Sequence, residues 1–232
     1  MIVAVGNSHA HFFTNTPPAQ RGYSEKEGYC FTSYSLNGTD NKRKIDGDIS
    51  APLAYTFYEK WLPILLKRIE SQNLPITLSD TIVLVLGEID CRLHLPRQVL
   101  EYKKDLNKAV EETVKEYVKV PIKLKELGYS IVMWGVHPSS NQGPRKGKKG
   151  IIPYIGDVNL RNKITKTWNT YLQQECQKLG LPFISIYDTI VNIDGTTNEK
   201  FYRDDCHLDT DTLYNYVLKC FNEVDIYPCS LK

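Results

Sequence analysis

The amino-acid sequence predicts an α/β protein: a three-layer α/β/α sandwich around a mostly parallel sheet of five strands. Three observations carry this. Short runs of Val, Ile and Leu recur at residues 2–5, 81–86, 130–136 and 182–187, and they are apolar throughout rather than alternating, as strands covered on both faces are. Longer amphipathic stretches lie between them, the βαβ rhythm of a parallel sheet. The chain of 232 residues shows no internal repeat and no Pro/Gly/Ser-rich linker, so 1–232 is expected to fold as a single domain.

Taken in order, the first strand ends at Gly6, a residue that lets the chain turn sharply. Residues 29–34, aromatic and Thr-bearing, supply the fifth strand. The stretch 54–69 spaces Phe57, Trp61, Leu65 and Ile69 four apart, which stacks them on one helical face. Residues 99–127 form a long charged helix with Pro121 inside it, where a missing backbone donor predicts a kink or a break. A helix over 159–179 stops at Gly180-Leu181-Pro182, and the last helix spans 210–222. Trp61 and Trp134 are expected in the core rather than against a substrate. Apart from the weaker strand at 29–34, residues 15–50, 137–157 and 189–207 are left without regular structure, and loops of that length usually carry function. Ligands gather beyond the carboxyl ends of parallel strands. That rule points to the turn after Val5, the turn after Leu86 and the loop before the last helix.

Composition narrows the function. With 41% hydrophobic and 24% charged residues, the chain has enough apolar surface to exclude a disordered or low-complexity protein. Its 29 basic against 27 acidic residues give +2, so no general pull on nucleic acid or anionic membrane is expected. The basic runs Lys42-Arg43-Lys44 and Arg145-Lys146-Gly147-Lys148-Lys149 read as solvated loops. No stretch reaches the ~18–20 apolar residues of a membrane helix. No secretory signal is seen, so a cytoplasmic location is expected. The six cysteines then read as thiols, and without a C-x-x-C pair they signal neither a zinc ribbon nor a redox motif. Cys91 and Cys206 lie inside two of the motifs below and could approach one another.

Three short blocks could carry chemistry. Gly6-Asn7-Ser8-His9-Ala10-His11 follows the first strand. A Ser opening a helix there exposes its hydroxyl at the sheet edge, beside backbone N–H groups that stabilise an oxyanion. Asn7 and Ser8 serve equally well as plain helix caps. Asp204-Asp205-Cys206-His207 precedes the last helix. A serine nucleophile needs a base, and the base an acceptor that fixes its tautomer. Asp204 and His207 meet that need, or the acids merely complement the helix dipole. Gly87-Glu88-Ile89-Asp90-Cys91-Arg92 follows the strand at Thr81 and is either a salt-bridged turn or a substrate clamp.

Together the blocks resemble the SGNH, or GDSL-type, hydrolase family. Gly6-Asn7-Ser8 matches its first motif, and Asp204-x-x-His207 matches its last. The order and spread cover almost the whole chain. The resemblance implies a flavodoxin-like sandwich with Ser8 as nucleophile, His207 as general base and Asp204 as its orienting partner. It implies one oxyanion donor at the Ser8 N–H and a second at a backbone N–H in the next block, with Gly47, Ala51 and Gly38 as candidates. The third block departs from the family: Ile89 stands where the family has its oxyanion Asn, and isoleucine has no donor. Losing one such donor costs on the order of 10²–10³ in kcat. Arg92, His137, Ser139 and Asn141 are the candidate replacements, with Asp90 beside them. Glu88 is expected to pair with Arg92 or to reach a sugar hydroxyl. The Gly-Glu-Ile-Asp-Cys-Arg form also resembles a branch of SGNH-like proteins linked with surface-glycan modification.

The resulting expectation is a serine esterase, without a cofactor, acting on a small acyl ester, above all O-acetyl on a carbohydrate, with that small-molecule or glycan ester as its partner and neither nucleic acid nor membrane. The alternatives are an acyltransferase using the same site, a non-catalytic glycan-binding module, and a metal-dependent hydrolase built on His9, His11, Asp205 and His207. The last is weakened because a helical spacing of two turns side chains apart by roughly 200°. Asp204, Asp205, Asp209 and Asp211 crowd His207, and nearby negative charge is expected to favour its imidazolium.

Overall fold

A computed structural model describes residues 1–15, 22–26, 28–36, 52–143 and 153–226. The strands are β1 (Ile2–Gly6), β2 (Gly22–Lys26), β3 (Tyr29–Ser35), β4 (Thr81–Val85), β5 (Ser130–Trp134) and β6 (Phe183–Ile184). Among the described residues they form one sheet in the order β2-β3-β1-β4-β5-β6. The five strands from β3 to β6 are parallel, and β2 is antiparallel to β3 at the edge. The parallel part has the doubly wound order in which the chain reverses direction across the sheet between β1 and β4.

Every residue of β1 is buried, and it serves two cores. Val3 and Val5, with Ile82, Leu84, Ile131 and Met133, face the helices α1 (Ala54–Thr56), α2 (Leu62–Glu70), α3 (Leu95–Leu100), α4 (Leu106–Glu126) and α5 (Val158–Leu179). Ile2 and Ala4, with Val83, Val85, Val132 and Trp134, face α6 (Tyr187–Ile190), α7 (Thr210–Glu223) and the 3-10 helix Ser8–Thr14. Burial on both faces is why these strands read as unbroken apolar runs.

The structure alters several expectations. The sheet has a sixth strand: β2 reads Gly-Tyr-Ser-Glu-Lys, with Tyr23 exposed, and a polar edge strand leaves no apolar signature. The strand expected over 182–187 shortens to Phe183–Ile184, because the Ser185 hydroxyl accepts the Tyr187 N–H and starts α6. The helix expected over 54–69 contains a π-turn at Phe57–Trp61. The long helix does not break at Pro121, whose ring is buried within a continuous α4. The break lies over 101–105, where Lys103 adopts positive φ and Asp105 caps α4 by accepting the Lys108 N–H. Gly180 ends α5 in the left-handed region at φ 60°, as a helix stop should. Among the described residues no helix is long and apolar enough to cross a membrane. The five described cysteines are free thiols. Cys91 is packed in the core and Cys206 stands at the site described next.

Candidate active site

The site forms where β1 and β4 end. β1 and β4 run side by side to the Gly6–Val85 pair, and a Cβ on Gly6 would stand 1.9 Å from the Val85 carbonyl oxygen. A glycine is therefore required where the first turn leaves the sheet. Asn7 then caps the 3-10 helix, its Oδ1 accepting the His9 N–H at 3.0 Å. Ser8 is the first residue of that helix, so its own N–H has no intrahelical partner.

Across the cleft, Asp204 organises the turn before α7. Its carboxylate accepts the N–H of Cys206 at 2.9 Å and of His207 at 2.8 Å, and lies 2.9 Å from His207 Nδ1. Nε2 of the same ring is 3.0 Å from Ser8 Oγ. Ser8, His207 and Asp204 thus form one hydrogen-bonded chain. The cap of α7 is a different acid, Asp209. Burial opposes charge on Asp204, but the two N–H groups and the His207 ring bring its carboxyl down to about 2. His207 departs from expectation. Burial, with His9 beside it, outweighs the attraction of Asp204 and lowers its pKa to about 4 rather than raising it. Of the acids counted as crowding it, Asp204 meets the ring and Asp209 is spent on the helix cap. Cys206 Sγ packs against the ring at 3.4 Å from Nδ1, and burial pushes that thiol up to about 12.

The third block is buried. Gly87 adopts φ +104°, and a Cβ there would meet Val136 at 2.8 Å and Trp168 at 2.9 Å. Glu88 is ion-paired with Arg92 at 2.7 Å and with His9 Nε2 at 2.9 Å. Burial opposes its charge, yet Arg92 and His9 hold the carboxyl well below the usual range. Arg92 lies with its guanidinium carbon 4.6 Å from the centre of the Tyr154 ring. Asp90 turns away from the cleft and accepts the Ala54 N–H at 2.9 Å, so it holds the start of α1 rather than a substrate. Burial raises that carboxyl to about 7.

Among the described residues, each candidate replacement for the missing Asn is engaged elsewhere. Ile89 is buried and apolar. Arg92 is engaged by Glu88 through Nε and Nη2. His137 Nε2 meets the Cys206 carbonyl at 3.3 Å. The Ser139 N–H goes to Asn162, the Asn141 N–H to Glu199, and the Asn141 amide to the Thr197 carbonyl. Gly38, Gly47 and Ala51 lie outside the described residues, as do both basic runs.

The metal-binding alternative is not assembled. In a 3-10 helix each residue turns about 120°, so positions 9 and 11 diverge. His9 goes to Glu88, while His11 Nδ1 lies 2.9 Å from Ser33 Oγ in β3. Asp205 is exposed and presents its carbonyl to the Tyr154 hydroxyl. Among the described residues, the His/Cys/Asp/Glu group with closely spaced ligand atoms is Asp204, Cys206 and His207.

The sequence reading missed the polar face of α5. Asn169 grips the Val136 backbone at both its N–H and its carbonyl, and Asn162 accepts the Ser139 N–H. Arg161 donates to Ser139 Oγ and to the carbonyls of Gly156, Ser140 and Gln142. These contacts hold the segment after β5 and thereby His137. The available signal was a polar stripe at 161, 162, 165 and 169 on an otherwise core-facing helix.

No family model and no curated protein matches the chain. Solved structures do. An acylhydrolase assignment from Bacteroides fragilis aligns with a TM-score of 0.53 and 16% identity, over 96% of this chain and 86% of that one. A GDSL-like lipase from Bacteroides thetaiotaomicron aligns with 0.51 and 14%, again over 96% and 86%. The likeness shows the fold, which is the SGNH-hydrolase fold.

Proposed function

We propose that this protein is a serine ester hydrolase that removes a small acyl group, O-acetyl, from a carbohydrate. One observation carries the reading: Asp204, His207 and Ser8 are joined by hydrogen bonds at the carboxyl edge of β1, beside the switch point of the sheet. Asp204 can only accept, so His207 Nδ1 carries the hydrogen and Nε2 presents a lone pair to Ser8. A base depressed to about 4 is neutral at pH 7 and ready to take the Ser8 proton.

Ser8 Oγ attacks the ester carbonyl as its proton passes to His207 Nε2. The oxyanion faces the Ser8 N–H, and the imidazolium returns its proton to the leaving alcohol. Water then attacks the acyl-enzyme with His207 again as base. Beside His207 the cleft is lined by Phe12, Trp134 and Leu208, bulky apolar side chains that suit a short acyl chain. The test is hydrolysis of p-nitrophenyl acetate by the wild type, Ser8→Ala and His207→Ala. Loss in both variants supports the triad. Wild-type rates in Ser8→Ala would remove Ser8 as nucleophile. Sugar binding without turnover in the wild type would favour a glycan-binding module.

A further inference from the structure

Two histidines beside the triad are unused by the mechanism just given. His9 and His137 are both buried, their ring centres are 4.9 Å apart, and His9 is also 4.9 Å from the ring of His207. Both line the cleft next to His207, and both line the recess that leads inward past Asn7 and Glu88.

Their partners fix how each ring is presented. Glu88 is ionised and can only accept, so the hydrogen between it and His9 belongs to His9 Nε2. A carbonyl also only accepts, so His137 Nε2 carries the hydrogen directed at Cys206. In the neutral His137 ring the second nitrogen is then a bare acceptor, and in His9 the second nitrogen is the one turned away from Glu88. Among the described residues Nδ1 makes no hydrogen bond in either ring, and neither Nδ1 is sealed in the interior. Burial keeps His137 neutral, with a pKa near 3. In the same recess, the Asn7 amide Nδ2 is a buried donor with no partner among the described residues.

Unpaired ring nitrogens at the floor of a cleft need hydrogen-bonding partners from whatever binds there, and a hydroxyl can both donate and accept. We propose that His9 and His137 recognise free hydroxyl groups of the substrate, so that the ester cleaved is a partly acylated polyol whose neighbouring hydroxyls are open. This rests on the serine-esterase reading for its chemistry and adds to it the residues that select the alcohol.

The experiment compares kcat/KM for methyl mono-O-acetyl-glucopyranoside with that for fully acetylated methyl glucopyranoside, which has no hydroxyl to offer. The wild type should favour the first by at least about tenfold, the worth of one good hydrogen bond in the transition state. His9→Phe and His137→Phe, which keep a ring and remove its polar nitrogens, should bring the ratio toward one. His137→Gln, which restores an acceptor, should keep part of it. The ratio is read rather than the rate, so a general loss of activity does not imitate the result. A wild-type ratio near one, or a ratio unchanged in both Phe variants, overturns the proposal. Failure of the esterase reading looks different: hydrolysis that survives Ser8→Ala. If the wild type hydrolyses neither ester, saturation-transfer NMR with the monoacetylated glycoside decides. Contact that is lost in His137→Phe supports the hydroxyl pair, and no contact in the wild type overturns it.

Discussion

The turns after β1 and after β4 leave the sheet side by side, both through a glycine, and both carry a charged or polar block into the same cleft. They use it in opposite ways. The first turn places Ser8 half-exposed with its hydroxyl on His207. The second spends its charges inwardly: Glu88 on Arg92 and His9, Asp90 on the start of α1, and Ile89 in the core. Position at a strand end therefore does not make a residue catalytic. What matters is whether its polar atoms still have capacity once the local packing is satisfied.

The contrast can be broken most sharply at Ser8. Ser8→Ala should lower kcat for p-nitrophenyl acetate by about 10⁴ or more, while its melting temperature stays with the wild type, because a half-exposed hydroxyl contributes little to folding. The second turn should behave the other way. Arg92→Met leaves the Glu88 carboxylate buried with one partner fewer, which costs about 3–5 kcal/mol of stability in urea titration. If that variant unfolds at the wild-type midpoint, the pair is not the buried one described. Gly87→Ala combines a left-handed backbone with a Cβ crowding Val136 and Trp168, and should cost about 1–3 kcal/mol. A similar loss, about 1–3 kcal/mol, is expected for Asn169→Ala, which strands both backbone groups of Val136.

The smallest change concerns pH. As the proposed base His207 must be neutral, and its pKa is lowered to about 4. Activity should therefore be level from pH 8 to 6 and fall only as pH drops through about 4. An inflection near 6.5 would mean that the ring is not shielded as described. Stability moves in the same sense: a histidine depressed in the folded state takes up protons more readily when unfolded, so its contribution declines as pH falls from about 6.5 toward 4.

The strands buried on both faces, the helix stop at Gly180 and the approach of residues 8, 204 and 207 were legible, because continuous apolar runs and short-range turn chemistry are written locally. β2 was not, because a polar edge strand has no apolar face to display. The pKa of His207 was not, because counting acids in sequence ignores burial and His9, which weigh more than Asp204. The Glu88–Arg92 pair, four residues apart, was legible too, but the fates of His137, Ser139 and Asn141 were not, because each is decided by a partner distant in the chain, such as Asn162 for Ser139 or Cys206 for His137.

Ser8 and His207 are 199 positions apart in the chain, yet share one hydrogen bond. β1 is also an inner strand, between β3 and β4, so it cannot be seated until both neighbours are present. Contacts of such long range are formed late and slowly in folding. In a refolding experiment, the return of turnover should lag behind the return of helical circular dichroism. Enzyme activity would then act as a clock for the final docking of the C-terminal turn onto a sheet already assembled.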